Sequence, residues 1–256
     1  MQLSQYFSHN DGLITFTEEQ GSAFAKGVAG DFNPIHDQGS RRFCVPGDLL
    51  FCVLLNHFGA ASSTSVQFSA MLDGNTQMRL PAEITGSARI VDTRERELLT
   101  LFLDGKRQND ARFVSSLCEQ YVRFSGKTFP DILVPLMRSA SVMINPDRPL
   151  VIYKDMSIQL NDLAWSLASN AEGSLSDSKN NDAAVDALTL IVANTDIAVN
   201  GRKGAVHLRF SIEVSGQQIG TGEKNMVLSG LREYDESAMR GVVDQYNEWR
   251  SAYAAA

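Results

Sequence analysis

Little in this chain could hold a metal or a disulfide framework. Its three cysteines, Cys44, Cys52 and Cys118, are odd in number and never spaced as Cys-x-x-Cys. That pattern argues against a zinc site and fits a reducing, cytoplasmic compartment. His9 and His207 have no partners at metal-ligand spacing, so no metal and no other cofactor is expected. No stretch approaches the ~20 apolar residues a membrane helix needs, and Met1–Asn10 has neither the basic start nor the apolar run of a signal peptide. A basic excess is missing as well. Lys plus Arg total 23 against 30 Asp plus Glu, for a formal charge of −7, which disfavours nucleic acid as a partner. A Gly-x-Ser-x-Gly elbow is absent, and so is a cysteine with a nearby histidine, leaving nucleophilic hydrolysis without support.

What is present concentrates in one loop. Thr17-Glu18-Glu19-Gln20 has the form of a capping box, and a helix is expected from there to about Ala29. Gly30 then releases the chain into Asp31-Phe32-Asn33-Pro34-Ile35-His36-Asp37. Asn33-Pro34 prevents the helix from continuing. Asp31 and His36 can therefore be aimed at one point, and a carboxylate beside a neutral imidazole is common equipment for moving a proton at neutral pH. The run Leu49–Gly59 is apolar on nearly every side, which suits a helix enclosed by a sheet. Pro46 and Gly47 mark its start.

Residues 14–37, and in particular Gly30-Asp31-Phe32-Asn33-Pro34-Ile35-His36-Asp37, resemble the signature of the MaoC-like, or R-specific, enoyl-CoA hydratases. Val45–Leu50 is similar to the point where that family's central helix begins. The resemblance implies an α+β hot-dog fold, a sheet wrapped around a helix. It also implies that Asp31 and His36 hold a water and add it to a 2-enoyl thioester, or remove it from a 3-hydroxyacyl thioester. The ligand would be an acyl-CoA or acyl-carrier-protein thioester. In this reading the Gly47 amide meets the developing negative charge, and Asn33 braces the loop. Two exposed-looking basic pairs, Arg41-Arg42 and Arg202-Lys203, are candidates for coenzyme A phosphates. The chain departs from the family at Pro46-Gly47-Asp48, where His-Gly-Met is usual, and in the short segment 37–45, which overhangs the pocket in relatives. Asp48 either places a carboxylate near the growing charge or caps the helix. These departures keep two alternatives in play: a non-catalytic acyl-thioester or lipid binding protein, and a thioesterase relying on Asp48.

Beyond the apolar helix, strands are expected at 65–72, 76–91, 98–104 and 112–124, with a solvated turn at 93–97. The order then repeats: a helix over 132–144, and strands at 150–160, 187–199, 205–214 and 218–228. We therefore expect a double hot dog, with an N-terminal half (1–126) carrying the motif and a degenerate C-terminal half (127–256), acting as a monomer or a homodimer. The second half has no counterpart of the capped helix, so the pocket is expected to be open on that side. A mobile loop is expected at 173–182. A final helix over 237–253 should bury Val242, Val243, Tyr246 and Trp249.

Overall fold

A computed structural model describes residues 1–147, 150–169 and 188–255; the expected loop at 173–182 lies outside them. The strands are β1 (Ser8–Asn10), β2 (Leu13–Thr15), β3 (Ala60–Phe68), β4 (Gln77–Arg79), β5 (Gly86–Asp92), β6 (Glu97–Gln108), β7 (Val142–Met143), β8 (Val151–Leu160), β9 (Leu188–Asn200), β10 (Lys203–Val214), β11 (Gln217–Ser229) and β12 (Arg232–Glu233). The α-helices are α1 (Glu18–Phe24), α2 (Gly47–Phe58), α3 (Ala111–Gly126), α4 (Val134–Ser139), α5 (Asp162–Ser169) and α6 (Glu236–Ala254).

Ten strands form one sheet in the order β1-β2-β4-β5-β6-β3-β8-β11-β10-β9. All its pairings are antiparallel, and the seam between early and late strands is β3 against β8, with Ser63 opposite Gln159 and Gln67 opposite Asp155. Helix α2 is enclosed by this sheet: nine of its twelve residues are buried, on every face, as its unbroken apolar run requires. The fold is thus the double hot dog expected, one continuous sheet wrapped around paired helices.

The partner of α2 is not the helix expected at 132–144 but α3, over residues expected as a strand. Phe113, Val114, Leu117, Cys118, Tyr121 and Val122 recur at helical spacing and are all buried. Apolar pairs every four residues are the spacing of a helix and not the alternation of a strand. Asp110 caps α3 by accepting from the Phe113 amide at 2.7 Å. Tyr121 lies 4.9 Å from Phe51 of α2 between ring centroids, and Phe124 lies 5.0 Å from Phe210 of β10. So α3 packs on the later strands although it precedes residue 127. At 132–144 the chain instead makes a wide π turn (Phe129–Leu133), the short α4, and β7. Ser141, at φ +55°, ends the helical path.

Smaller differences have simple causes. The strand expected at 76–91 is split into β4 and β5 around Pro81, which cannot donate to a ladder. Helix α6 is present, but of its expected stripe only Tyr246 is buried: Val242 and Val243 are half-buried and Trp249 is 41% exposed. The turn at 93–97 is closed by Asp92, which accepts from the Arg94 and Arg96 amides.

The end of α3 touches the motif directly. A β-carbon on Gly126 would lie 1.5 Å from the Ala29 carbonyl oxygen, so only glycine lets the helix approach. Gly126→Ala is expected to destabilise the protein by about 3 kcal/mol, the upper end for overpacking against backbone. Chemical denaturation checks this, and an unchanged midpoint would contradict it.

Candidate functional site

The motif loop is built as local chemistry dictates. The Thr17 hydroxyl accepts from the Gln20 amide while the Gln20 side chain accepts from the Thr17 amide, completing the capping box. After α1 the chain makes a π turn (Ala25–Ala29), and Gly30 ends it in the left-handed region at φ +67°, where a β-carbon is disfavoured. Asp31 accepts from the Asn33 amide at 2.9 Å. The Asn33 side chain caps a single 3-10 turn, Pro34–His36, by accepting from the Ile35 amide.

His36 is only 8% exposed, and its Nδ1 stands 2.7 Å from the Cys44 carbonyl oxygen. A carbonyl can only accept, so Nδ1 carries the proton. In the neutral ring Nε2 is then an acceptor, and it faces Asp31 Oδ2 at 3.7 Å. Two acceptors at that separation do not bond each other but suit a water that donates to both. The Cys44 thiol is pushed up to about 11, chiefly by burial, so at neutral pH it is no thiolate nucleophile.

These groups open onto a cavity of about 700 Å³, lined by Asp31, Asn33, His36 and Gly47 among largely apolar side chains from both sides of the seam. Helix α6 contributes Ala238, Val242, Tyr246 and Trp249 to that lining. Gly47 begins α2; no side chain caps the helix, and the Gly47 and Asp48 amides have no helix carbonyl to bond, whereas Leu49 already donates to the Pro46 carbonyl at 3.1 Å. The cavity thus pairs a proton-accepting dyad with a helix N-terminus, within an apolar envelope that strengthens both.

Asp48 has neither of the placements the sequence suggested. It is 3% exposed, does not line the cavity and does not cap α2. Its Oδ1 accepts from Lys224 Nζ at 2.7 Å and its Oδ2 from Ser125 Oγ at 2.5 Å. Lys224, fully buried, sits over the rings of Tyr121 and Tyr153, 4.7 and 4.2 Å from their centroids. Burial pulls its ammonium pKa down, and Asp48 opposes that shift. The like-charge clash foreseen for Asp48 is thereby neutralised. Arg41 and Arg42 are exposed, in a turn closed by the Phe43 amide on the Ser40 carbonyl at 3.0 Å, and neither lines the cavity. The one Lys or Arg in the described lining is Arg232. The other basic pair, Arg202-Lys203, lies at the β9–β10 turn and is likewise absent from it. Among the described residues no group of three or more His, Cys, Asp or Glu could hold a metal, and no helix is long and apolar enough to cross a membrane.

Tyr246 contributes what sequence patterning left unseen. Its hydroxyl donates to the Gly30 carbonyl at 3.0 Å and accepts from the Phe32 amide at 3.2 Å, clasping the backbone on both sides of Asp31. The one available signal was a tyrosine, with a hydroxyl to satisfy, in a stripe expected to be buried.

Two variants separate the ion pair from its surroundings. Lys224→Met strands a buried carboxylate and is expected to cost about 3–5 kcal/mol, whereas Asp48→Met combined with Lys224→Met should return close to wild-type stability. Urea denaturation of both checks this; equal destabilisation would show that packing, not charge, governs the cluster.

Comparison with known proteins adds family membership. No curated protein matches the chain. Among solved structures it is similar to an acyl-CoA thioesterase II, TesB2, from Mycobacterium marinum (9% identity, covering 92% of this chain and 99% of that one, TM-score 0.40). It is also similar to a MaoC-like dehydratase (7% identity, 89% and 99% covered, TM-score 0.37). Neither likeness enters the argument for fold or chemistry, which rests on the strand order and the site geometry. A family model described as "Protein of unknown function (DUF3581)" matches residues 1–237, and the chain belongs to that family.

Proposed function

We propose that this protein is a hydratase or dehydratase of acyl thioesters, interconverting 2-enoyl and 3-hydroxyacyl groups carried on coenzyme A or an acyl-carrier protein. The observation that carries this reading is the polarity of the dyad. With Nδ1 held by Cys44, the His36 Nε2 lone pair and the Asp31 carboxylate face each other at 3.7 Å in an apolar cavity. A water between them would donate one proton to each acceptor and point its oxygen lone pairs elsewhere.

In the forward reaction the dyad takes a proton from that water as its oxygen bonds the β-carbon. The electrons of the carbon–carbon double bond move onto the thioester oxygen. They return to the α-carbon as it takes a proton from the now protonated dyad, so one water is added and nothing else is consumed. The Gly47 amide is the proposed donor to the thioester oxygen. Asn33 and Tyr246 act as positioning residues, since their side chains bond the backbone of the loop that carries Asp31 and His36. No step calls for a metal or redox cofactor.

Hydrolysis through Asp48 is a weaker reading, because that carboxylate is committed to Lys224 and Ser125. A purely binding role loses its main support for the same reason. Arg232, which lines the cavity, suits a ligand phosphate better than Arg41 or Arg42. Cytoplasmic location and a monomeric or homodimeric state remain part of the proposal. So does the division into halves at 126/127, amended because α3 belongs by packing with the later strands.

Asp31→Asn and His36→Ala are each expected to lower kcat for 2-enoyl-CoA hydration at least ~100-fold, with the unfolding midpoint retained. Steady-state kinetics at saturating substrate measure this. Near-normal turnover in both variants would remove the dyad from the mechanism.

A further inference from the structure

The cavity has a second polar wall that the dyad does not use. Ser125, from the end of α3, and Tyr153, from β8, line it together with Gly47. Behind them the Lys224 ammonium donates to Asp48 Oδ1 at 2.7 Å and to Ser125 Oγ at 2.5 Å, while Ser125 donates its own proton to Asp48 Oδ2. The Ser125 hydroxyl is therefore spent as a donor. With its own proton on Asp48, Ser125 Oγ accepts from Tyr153, whose oxygen lies 2.9 Å from it and 3.5 Å from Asp48 Oδ2; of the two hydroxyls, Tyr153 has the proton that rests on a neutral oxygen and can be exchanged for a ligand oxygen. Burial, ahead of the charge on Asp48, pushes the Tyr153 phenol well above its usual range, so it remains a donor at neutral pH.

Gly47 ties this wall to the start of α2. A β-carbon there would lie 2.9 Å from Tyr153 Cδ2, so the tyrosine ring rests directly on the residue that supplies the helix's first amide. A buried Lys–Asp pair is a poor device for stability, since apolar residues of similar volume often do as well. What it supplies here is a fixed ion pair that holds both hydroxyls in place at the wall of the cavity, Ser125 being bonded to both of its members.

We propose that Tyr153 contacts the ligand, donating a hydrogen bond, beside the Gly47 amide, to the thioester carbonyl oxygen, with Ser125 and Lys224 as positioning residues behind it. The proposal rests on the acyl-thioester reading above and adds to it a second donor from the later strands. Tyr153 keeps its proton throughout: the oxygen gains electron density as water adds and returns it to the α-carbon.

Isotope-edited infrared spectroscopy of a saturated acyl-CoA, carbon-13 labelled at its carbonyl, tests this without needing turnover. The carbonyl stretch of the ligand bound to the wild type is expected below its value in solution. Tyr153→Phe, which keeps the ring over Lys224 and against Gly47, should move it most of the way back, and Asp31→Asn should leave it where it is. In kinetics the Tyr153→Phe variant should lose at least ~10-fold in kcat with little change in KM. Equal stretches in wild type and Tyr153→Phe would overturn the proposal while leaving the dyad intact if Asp31→Asn still abolishes turnover. Failure of the wild type to bind acyl-CoA would overturn both. Should Tyr153→Phe not fold, the same measurement on Ser125→Ala decides, with a partial return of the stretch expected and no change contradicting it.

Discussion

A helix that is apolar on every face must be enclosed, and α2 imposes that requirement on the whole chain. Its residues from Asp48 through Leu55, and Phe58, are buried, and only Asn56 and His57 are exposed. The sheet wraps it, α3 closes the remaining flank through Phe51 and Tyr121, and the β3–β8 seam lets early and late strands share one surface. Enclosure also decides where chemistry can occur. Along its length α2 is sealed apart from Asn56 and His57 in its last turn, and the cavity carrying the motif forms at its first turn.

The motif loop is held to that opening from three directions. Gly30 turns it out of the preceding helix, Gly126 admits the end of α3 against the Ala29 carbonyl, and Tyr246 from α6 bonds Gly30 and Phe32. Each contact comes from a different part of the sequence. The dyad is consequently fixed by the tertiary structure, although its two members are local. This is the arrangement expected where a reacting group must be held before the substrate arrives.

Local signals were legible and non-local ones were not. The capping box at Thr17, the turn at Asn33-Pro34 and the burial of α2 depend on residues within a few positions, and the structure has each as the sequence implies. Helix α3 was itself legible, since Phe113, Leu117 and Tyr121 recur at helical spacing behind the Asp110 cap, and the strand expected there ran against that repeat. The fate of Asp48 could not be read from its neighbours, because its partner lies 176 positions away. Lys224 did leave a trace: alternation along β11 places it on the inward face with Gly222, Met226 and Leu228, all buried. An inward lysine among such residues calls for a buried acid, and Asp48 is the acid that meets it. Tyr153 and Ser125 acquire significance only through that pair.

The account's central claim is that water is added to the acyl chain and the thioester bond is left whole. Incubating the pure protein with 2-enoyl-CoA while following enoyl absorbance and free thiol together tests it most directly. Loss of enoyl absorbance without thiol release, with the 3-hydroxyacyl thioester as product, is the expected result. Thiol release in step with substrate loss, or binding with no change in either signal, would contradict it.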